Sequence, residues 1–157
     1  MKPPGGKMEE TKKCLLVIDD EDDYCQIIRE KFELLGYKVL IAHDGAEGLR
    51  KTEEGRPDCV ILDVLIPKGE DGLTYFRKLR TYRHNDRQEQ TRMRTTPIIV
   101  LTGAGTATHP VFEREDTKGS VEKLFDYTGL QGINGFLEKP FDLETLKAKI
   151  EDVLREG

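Results

Sequence analysis

The chain has 157 residues, of which 36% are hydrophobic and 35% charged, and its formal net charge is −5. This length is typical of one domain with a core of its own, and the acidic balance argues against a general nucleic-acid binder. No apolar run is long enough to span a bilayer, and the first residues, MKPPGGKM, lack the apolar core of a signal peptide.

The amino terminus and the cysteines indicate the surroundings of the domain. Proline and glycine are dense near the start, so residues 1–11 are predicted to be a disordered leader before a folded domain over residues 12–157. Cys14, Cys25 and Cys59 are widely spaced and lack the partners of a metal site. We therefore expect a reduced, cytoplasmic protein.

Five short apolar segments alternate with helical patterns along the chain. The predicted strands are residues 14–18, 38–42, 59–62, 98–101 and 133–137. Several are continuous apolar or β-branched runs, which are typical of parallel strands covered on both faces. The alternation predicts an α/β fold, with a doubly wound five-stranded parallel sheet and helices on both faces.

The helical patterns have recognisable ends. Tyr24, Ile28, Phe32 and Leu35 recur at helical spacing after the first strand, and Gly36 is predicted to cap this helix at its C-terminus. We expect acidic residues to begin helices as well. The predicted features are a cap by Asp22, a second helix opened by Asp44, a third marked by Leu73, Phe76 and Leu79, and a last helix capped by Asp142.

Two connections are too long for a compact strand–helix–strand unit, so extra segments are expected around residues 80–96 and 104–122. The first overlaps a basic stretch, residues 77–94, with seven Lys or Arg against two acidic residues. We interpret this stretch as a solvated helix end and loop, and contact with a phosphate or an acidic partner is the alternative.

Polar residues stand at the carboxyl ends of four predicted strands. Asp19 and Asp20 follow the first strand, Asp63 the third, Thr102 the fourth and Lys139 the fifth. Ligands of open α/β sheets bind outside these strand ends, so we expect one site there. Three carboxylates suit Mg²⁺, which would also make the run of five acidic residues after the first strand tolerable. With a lysine and a hydroxyl beside it, this is a phosphoryl-transfer arrangement.

Five short motifs stand in order along the chain: VIDDE at 17–21, VILDVLIP at 60–67, DG at 71–72, VLTG at 100–103 and FLEKPF at 136–141. Together they resemble the receiver domain of two-component response regulators, over residues 13 to 155. The resemblance implies the flavodoxin-like strand order 2-1-3-4-5. It also implies a phosphorylation switch rather than an enzyme: the domain takes a phosphoryl group from a histidine kinase, assists its own transfer and dephosphorylation, and changes conformation to control a partner protein.

The resemblance assigns a role to individual residues of this sequence. Asp63 is the phosphoacceptor, and a cis bond is implied before Pro140. The magnesium ligands are Asp19, Asp20, Asp63 and the backbone carbonyl of Leu65; the phosphoryl-binding and switch residues are Thr102, Lys139 and Phe136, the last being the aromatic residue that changes rotamer.

Two apolar positions are expected to lengthen the life of the phosphoaspartate. Leu65 and Ala104 flank the approach of the hydrolytic water in the family's geometry, and neither side chain can hydrogen-bond that water. The sequence departs from the family's pattern at Lys68-Gly69-Glu70, which is one residue longer than usual, and over the long segment 103–132. Partner geometry is therefore not carried over from the family.

Three alternatives compete with a phosphoacceptor receiver. A phosphatase of the haloacid-dehalogenase type would want a second Asp two residues after the first, where this chain has Leu65. A flavodoxin-like cofactor binder would want hydroxyls and amides after the first strand, where acidic residues would repel phosphate. A pseudo-receiver would use the same fold without phosphorylation, and the presence of Asp63, Thr102 and Lys139 argues against it.

The expected partners follow from the same resemblance. They are a sensor histidine kinase or a histidine phosphotransfer protein, and an unknown output protein. No second domain follows the last helix in this sequence, so we expect no direct binding of nucleic acid. We also expect no membrane attachment, and a monomer or weak homodimer. His43, His84 and His109 show no ligand spacing and are interpreted as surface or loop residues.

Overall fold

The computed structural model describes residues 12–64, 72–102 and 134–156. The leader, the three-residue departure at 68–70, the long segment 103–132 and the positions Leu65, Ala104 and His109 lie outside the described residues. No helix among the described residues is long and apolar enough to cross a bilayer. The described elements, in chain order, are β1 (Cys14–Ile18), α1 (Asp22–Leu34), β2 (Lys38–Ala42), α2 (Gly45–Gly55), β3 (Cys59–Asp63), α3 (Gly72–Arg80), α4 (Arg87–Arg94), β4 (Ile98–Thr102), β5 (Gly135–Glu138) and α5 (Leu143–Glu156).

The strands form one parallel sheet in the order β2-β1-β3-β4-β5. The predicted architecture and the strand order implied by the resemblance are confirmed. The bounds of β1 and β2 also match the prediction, whereas β3 and β4 are each one residue longer. Asp63 and Thr102 are therefore the last residues of their strands, and the parallel pairing holds their backbones in register with the neighbouring strands.

The core has two halves, one on each face of the sheet. Leu15 and Val17 of β1 pack into the half formed with α1 and α5, whereas Leu16 and Ile18 pack into the half formed with α3 and α4. Successive side chains of a strand point to opposite faces, so a strand covered on both faces is apolar at every position. This explains why β1 has no polar residue until the chain leaves the sheet at Asp19.

The helix ends agree with the sequence except at the start of α1. Gly36, with φ +98°, follows the C-cap of α1, and this left-handed backbone favours glycine. Asp44 accepts a hydrogen bond from the Glu47 amide at 2.9 Å at the start of α2, and Asp142 caps α5 through the Thr145 amide. The expected cap by Asp22 is wrong: the N-cap of α1 is the preceding residue, whose side chain makes no capping bond.

The basic stretch at 77–94 is more ordered than predicted because it contains α4. Met93 of this helix is fully buried in the core. Arg80 donates to the backbone carbonyls of Arg94 and Thr96, both at 2.9 Å, and Arg94 donates to the Tyr82 carbonyl at 2.6 Å. These arginines therefore hold α4 against the end of α3, and the solvated part of the prediction applies to the exposed residues 83–88.

Candidate functional site

Two aspartates and a lysine meet at the carboxyl edge of the sheet. Asp19 follows β1, Asp63 ends β3, and Lys139 follows β5. The register places Ile18 of β1 beside Leu62 of β3, so the residues one step further along the two strands are neighbours. Parallel pairing thus brings together side chains that lie far apart in the sequence, as predicted.

Asp19, Asp20 and Asp63 form a cluster of carboxylates, hereafter the acid cluster. Each offers one oxygen, and these three oxygens lie within 4.8 Å of one another. Asp19 is fully buried and Asp63 nearly so, whereas Asp20 is exposed. Oxygens that share an octahedral Mg²⁺ stand about 3–4 Å apart, so a small closure of the side chains would suit this ion. The donor set therefore fits the predicted metal.

The ammonium of Lys139 links the carboxylates. Its Nζ donates to Asp19 Oδ2 at 2.7 Å, to Glu21 Oε1 at 3.2 Å and to Asp63 Oδ2 at 3.5 Å. Burial opposes the charged form of Lys139, but the hydrogen bond to Asp19 and the charge of Asp63 outweigh it and raise the pKa of the lysine. The ammonium is therefore retained at every pH at which the protein would work.

Asp19 is fixed by its own backbone and by the turn into α1. Its amide donates to the Ala42 carbonyl at 3.0 Å, and its Oδ1 accepts from the Glu21 amide at 3.0 Å. Its carbonyl accepts from the Cys25 thiol at 3.4 Å. Burial raises the pKa of Cys25 to about 12, so the thiol stays protonated and serves as a donor rather than as a nucleophile.

Glu21 is a member of the site that sequence reasoning missed. Its carboxylate is 64% exposed, yet it reaches the same ammonium as the two buried aspartates. The sequence signal was present, because Glu21 stands inside the acidic run, but nothing in the run distinguishes a residue that turns toward Lys139 from one that faces water. Three carboxylates, those of Asp19, Glu21 and Asp63, therefore contact Lys139, and Asp20 completes the acid cluster beside them.

The other predicted site residues are placed less completely. Phe136 lies on β5 and is half-buried against the core half formed with α3 and α4. Thr102 ends β4, where its backbone pairs with Glu138; its side chain lies outside the described part of the structure, as do Leu65 and Ala104. The peptide bond before Pro140 is cis, as the resemblance implied.

Comparison with known proteins places this site in a family. A family model described as the response regulator receiver domain matches residues 15–151. The chain belongs to this family. The match decides against a phosphatase of the haloacid-dehalogenase type and against a flavodoxin-like cofactor binder, because the chain is a receiver domain of two-component response regulators.

Relatives of known sequence extend beyond this chain. An uncharacterized transcriptional regulatory protein of Bacillus subtilis, YkoG, is 33% identical over 144 residues, and the alkaline phosphatase synthesis transcriptional regulatory protein PhoP of the same organism is 31% identical over 144 residues. Both alignments cover 91% of this chain but only 51% and 49% of the relatives. The chain thus spans about half the length of the curated relatives it matches.

Solved structures support the same fold. A putative response regulator from Chloroflexus aurantiacus superposes with a TM-score of 0.68 at 28% identity, covering 92% of this chain and 99% of that one. A chemotaxis response regulator of Vibrio cholerae superposes with a TM-score of 0.66 at 29% identity, covering 91% and 99% of the two chains. This chain therefore matches almost the whole length of these two solved chains, whereas it matches about half the length of the two Bacillus subtilis relatives.

Proposed function

We propose that Asp63 accepts a phosphoryl group from the phosphohistidine of a donor protein, a sensor kinase or a phosphotransfer protein, while the acid cluster holds Mg²⁺. The observation that supports this most is the position of Lys139, which spans Asp19 at 2.7 Å and Asp63 at 3.5 Å beside the acid cluster. The carboxylate of Asp63, at the end of β3, thus lies beside a cationic side chain, Lys139, and within a candidate metal site.

The transfer uses Asp63 as the nucleophile. One carboxylate oxygen of Asp63 attacks the phosphorus in line with the donor nitrogen; the new O–P bond forms as the P–N bond breaks, and the imidazole leaves with its electron pair. Lys139 gives the transferred oxygens a donor with a fixed positive charge. When bound, Mg²⁺ would supply further positive charge to these oxygens. Asp19, Asp20, Asp63 and the Leu65 carbonyl are its proposed ligands.

The phosphorylated form then acts on an output partner through a change of conformation. Thr102 donates its hydroxyl to the phosphoryl group and Phe136 changes rotamer, which shifts an equilibrium between two states of the domain. Water later hydrolyses the phosphoaspartate, and the apolar side chains of Leu65 and Ala104 leave that water without a hydrogen-bond partner, so the phosphorylated state persists.

A small phosphodonor tests this function without knowledge of the kinase. The protein is incubated with phosphoramidate and Mg²⁺, and its intact mass is followed over time. We expect the addition of one phosphoryl group in the wild type, none in Asp63→Asn, and none when EDTA removes the metal. Equal phosphorylation of Asp63→Asn would contradict the proposal. A wild type that never gains a phosphoryl group would favour the pseudo-receiver.

A further inference from the structure

An aromatic ring lies against the lysine of the site. The Nζ of Lys139 stands 4.6 Å from the centroid of the Tyr24 ring. Tyr24 belongs to the first turn of α1, just beyond the acidic residues, and its ring meets that of Phe141 edge to face, with centroids 5.6 Å apart and planes at 88°. The ammonium thus contacts both carboxylates and an aromatic face.

We propose that Tyr24 is a positioning residue for Lys139, whose aromatic face holds the ammonium inside the site while the charges around it change. The proposal rests on the proposed function, because it concerns the lysine that is to bind the phosphoryl group. An ammonium within about 6 Å of a ring centroid is attracted by the negative face of the ring. This attraction differs in kind from the ion pairs that Lys139 also makes.

The need for such a support follows from the competition among the carboxylates. Asp19 and Asp63 draw the ammonium inward, whereas Glu21, with 64% of its side chain exposed, draws it toward solvent. A divalent cation at the acid cluster would offset the charge of Asp19 and Asp63 but leave that of Glu21. The field of the Tyr24 ring does not depend on metal, so its contribution becomes most important in the state that reacts.

The geometry assigns the contact with Lys139 to the ring of Tyr24 and not to its hydroxyl. The Tyr24 hydroxyl oxygen is buried and has no hydrogen-bond partner among the described residues. A buried polar group without a partner is unfavourable, so phenylalanine should serve at least as well at this position. This separates the proposal from a role of the hydroxyl in proton transfer or in binding of the phosphoryl group.

A spectroscopic experiment tests the contact directly and without phosphorylation. The side-chain methylene next to the ammonium of Lys139 should show an upfield ring-current shift in the NMR spectrum of the full chain, with the signal assigned by its loss in Lys139→Met. We expect the shift to persist in Tyr24→Phe and to vanish in Tyr24→Leu and Tyr24→Met. The two aliphatic variants are made together so that misfolding of one leaves the other to decide. An unchanged shift in a folded aliphatic variant would overturn the proposal.

Phosphorylation kinetics test the consequence. With phosphoramidate and Mg²⁺, the aliphatic variants should react about three- to tenfold more slowly than wild type, and Tyr24→Phe should restore the rate. In the Lys139→Met background the aliphatic substitution should add no further loss. Tyr37→Leu is the matched control, because Tyr37 is another half-buried tyrosine that packs edge to face, on Phe32 at 5.7 Å, beyond the other end of α1; its rate should equal that of wild type.

The outcomes separate the two proposals. The role of Tyr24, but not that of Asp63, would be overturned by either of two results. One is that the aliphatic variants slow phosphorylation as much in the Lys139→Met background as in wild type. The other is that Tyr24→Leu and wild type react at equal rates. A wild type that is not phosphorylated would overturn the proposed function, while the ring-current measurement would still decide whether Tyr24 holds Lys139.

Discussion

Replacing Asp20 with asparagine should stabilise the metal-free protein and remove most of its response to Mg²⁺. The exposed carboxylate of Asp20 offers an oxygen within 4.8 Å of oxygens from Asp19 and Asp63. Two unit charges at that distance repel by about 0.9 kcal/mol in a medium as polar as water. Two such neighbours give about 2 kcal/mol, and salt screening lowers the net gain to about 1 kcal/mol. Asparagine has almost the same shape, so packing should not change.

Thermal unfolding in EDTA and in MgCl₂ measures both effects. For a chain of this size, about 1 kcal/mol corresponds to a rise in the melting temperature of about 2–4 °C. In Mg²⁺ at ten times its dissociation constant, mass action stabilises the wild type by about 1.4 kcal/mol. The melting temperatures of the two proteins should therefore become equal, or wild type should melt at the higher temperature. The variant should show little of this gain, because it has lost a ligand.

Asp23→Asn is the matched control. Asp23 is exposed and belongs to the same acidic run, but it lies in the first turn of α1 and outside the acid cluster. A negative charge near a helix N-terminus is favourable, so its loss should slightly lower the melting temperature and leave the Mg²⁺ response intact. The reasoning would be refuted if Asp20→Asn failed to raise the melting temperature in EDTA, or if it responded to Mg²⁺ as fully as wild type.

Three further predictions concern packing, acid stability and lifetime. A Cβ at Gly72 would lie closer to the backbone carbonyl oxygen of Asp63 than atoms can approach, so Gly72→Ala should lower the free energy of unfolding by about 1–3 kcal/mol. Gly135→Ala, whose Cβ would make contacts of 3.6 Å and longer, should cost less in the same urea titration, and equal costs would contradict the packing argument. The hydrogen bond from Arg92 lowers the pKa of Glu89 to about 2, so this pair stabilises the fold above the ordinary glutamate pKa and is lost as the pH falls toward 2. Between about pH 6 and about pH 3, the free energy of unfolding of wild type should therefore fall further than that of Glu89→Gln, by about 1 kcal/mol or less. Equal losses in the two proteins would refute the assignment. Phosphorylated wild type should outlast Leu65→Asn in Mg²⁺ without kinase, and equal or faster decay of wild type would mean that this side chain does not control the water.

The fold was predictable because burial on both faces leaves a strong pattern. β1 and β2 were predicted to the residue, since their apolar runs are bounded by charge and glycine. α4 was missed for the opposite reason: only Met93 of its eight residues is buried, so no apolar stripe reveals the helix. It is held by arginine bonds to backbone carbonyls, and the residue types alone do not indicate which carbonyls those are.

Part of the candidate site was likewise predictable from the sequence and part was not. The convergence of Asp19, Asp20, Asp63 and Lys139 was predictable, because parallel topology fixes where strand ends meet. The part played by Glu21 and Tyr24 was not, since each depends on a side-chain direction that a single sequence does not specify. Tyr24 is one of the residues whose helical spacing predicts α1, and it packs against the core, but its ring also faces Lys139.

Chemical trapping of the phosphorylated residue tests the central claim most directly. Borohydride reduces an acyl phosphate of aspartate to homoserine, so the protein is phosphorylated with phosphoramidate in Mg²⁺, reduced, digested and mapped by mass spectrometry. The account predicts homoserine at position 63 alone, with none in a sample reduced without the phosphodonor. Homoserine at position 19 or 20, or a stoichiometric phosphoryl group that leaves Asp63 unmodified, would contradict it.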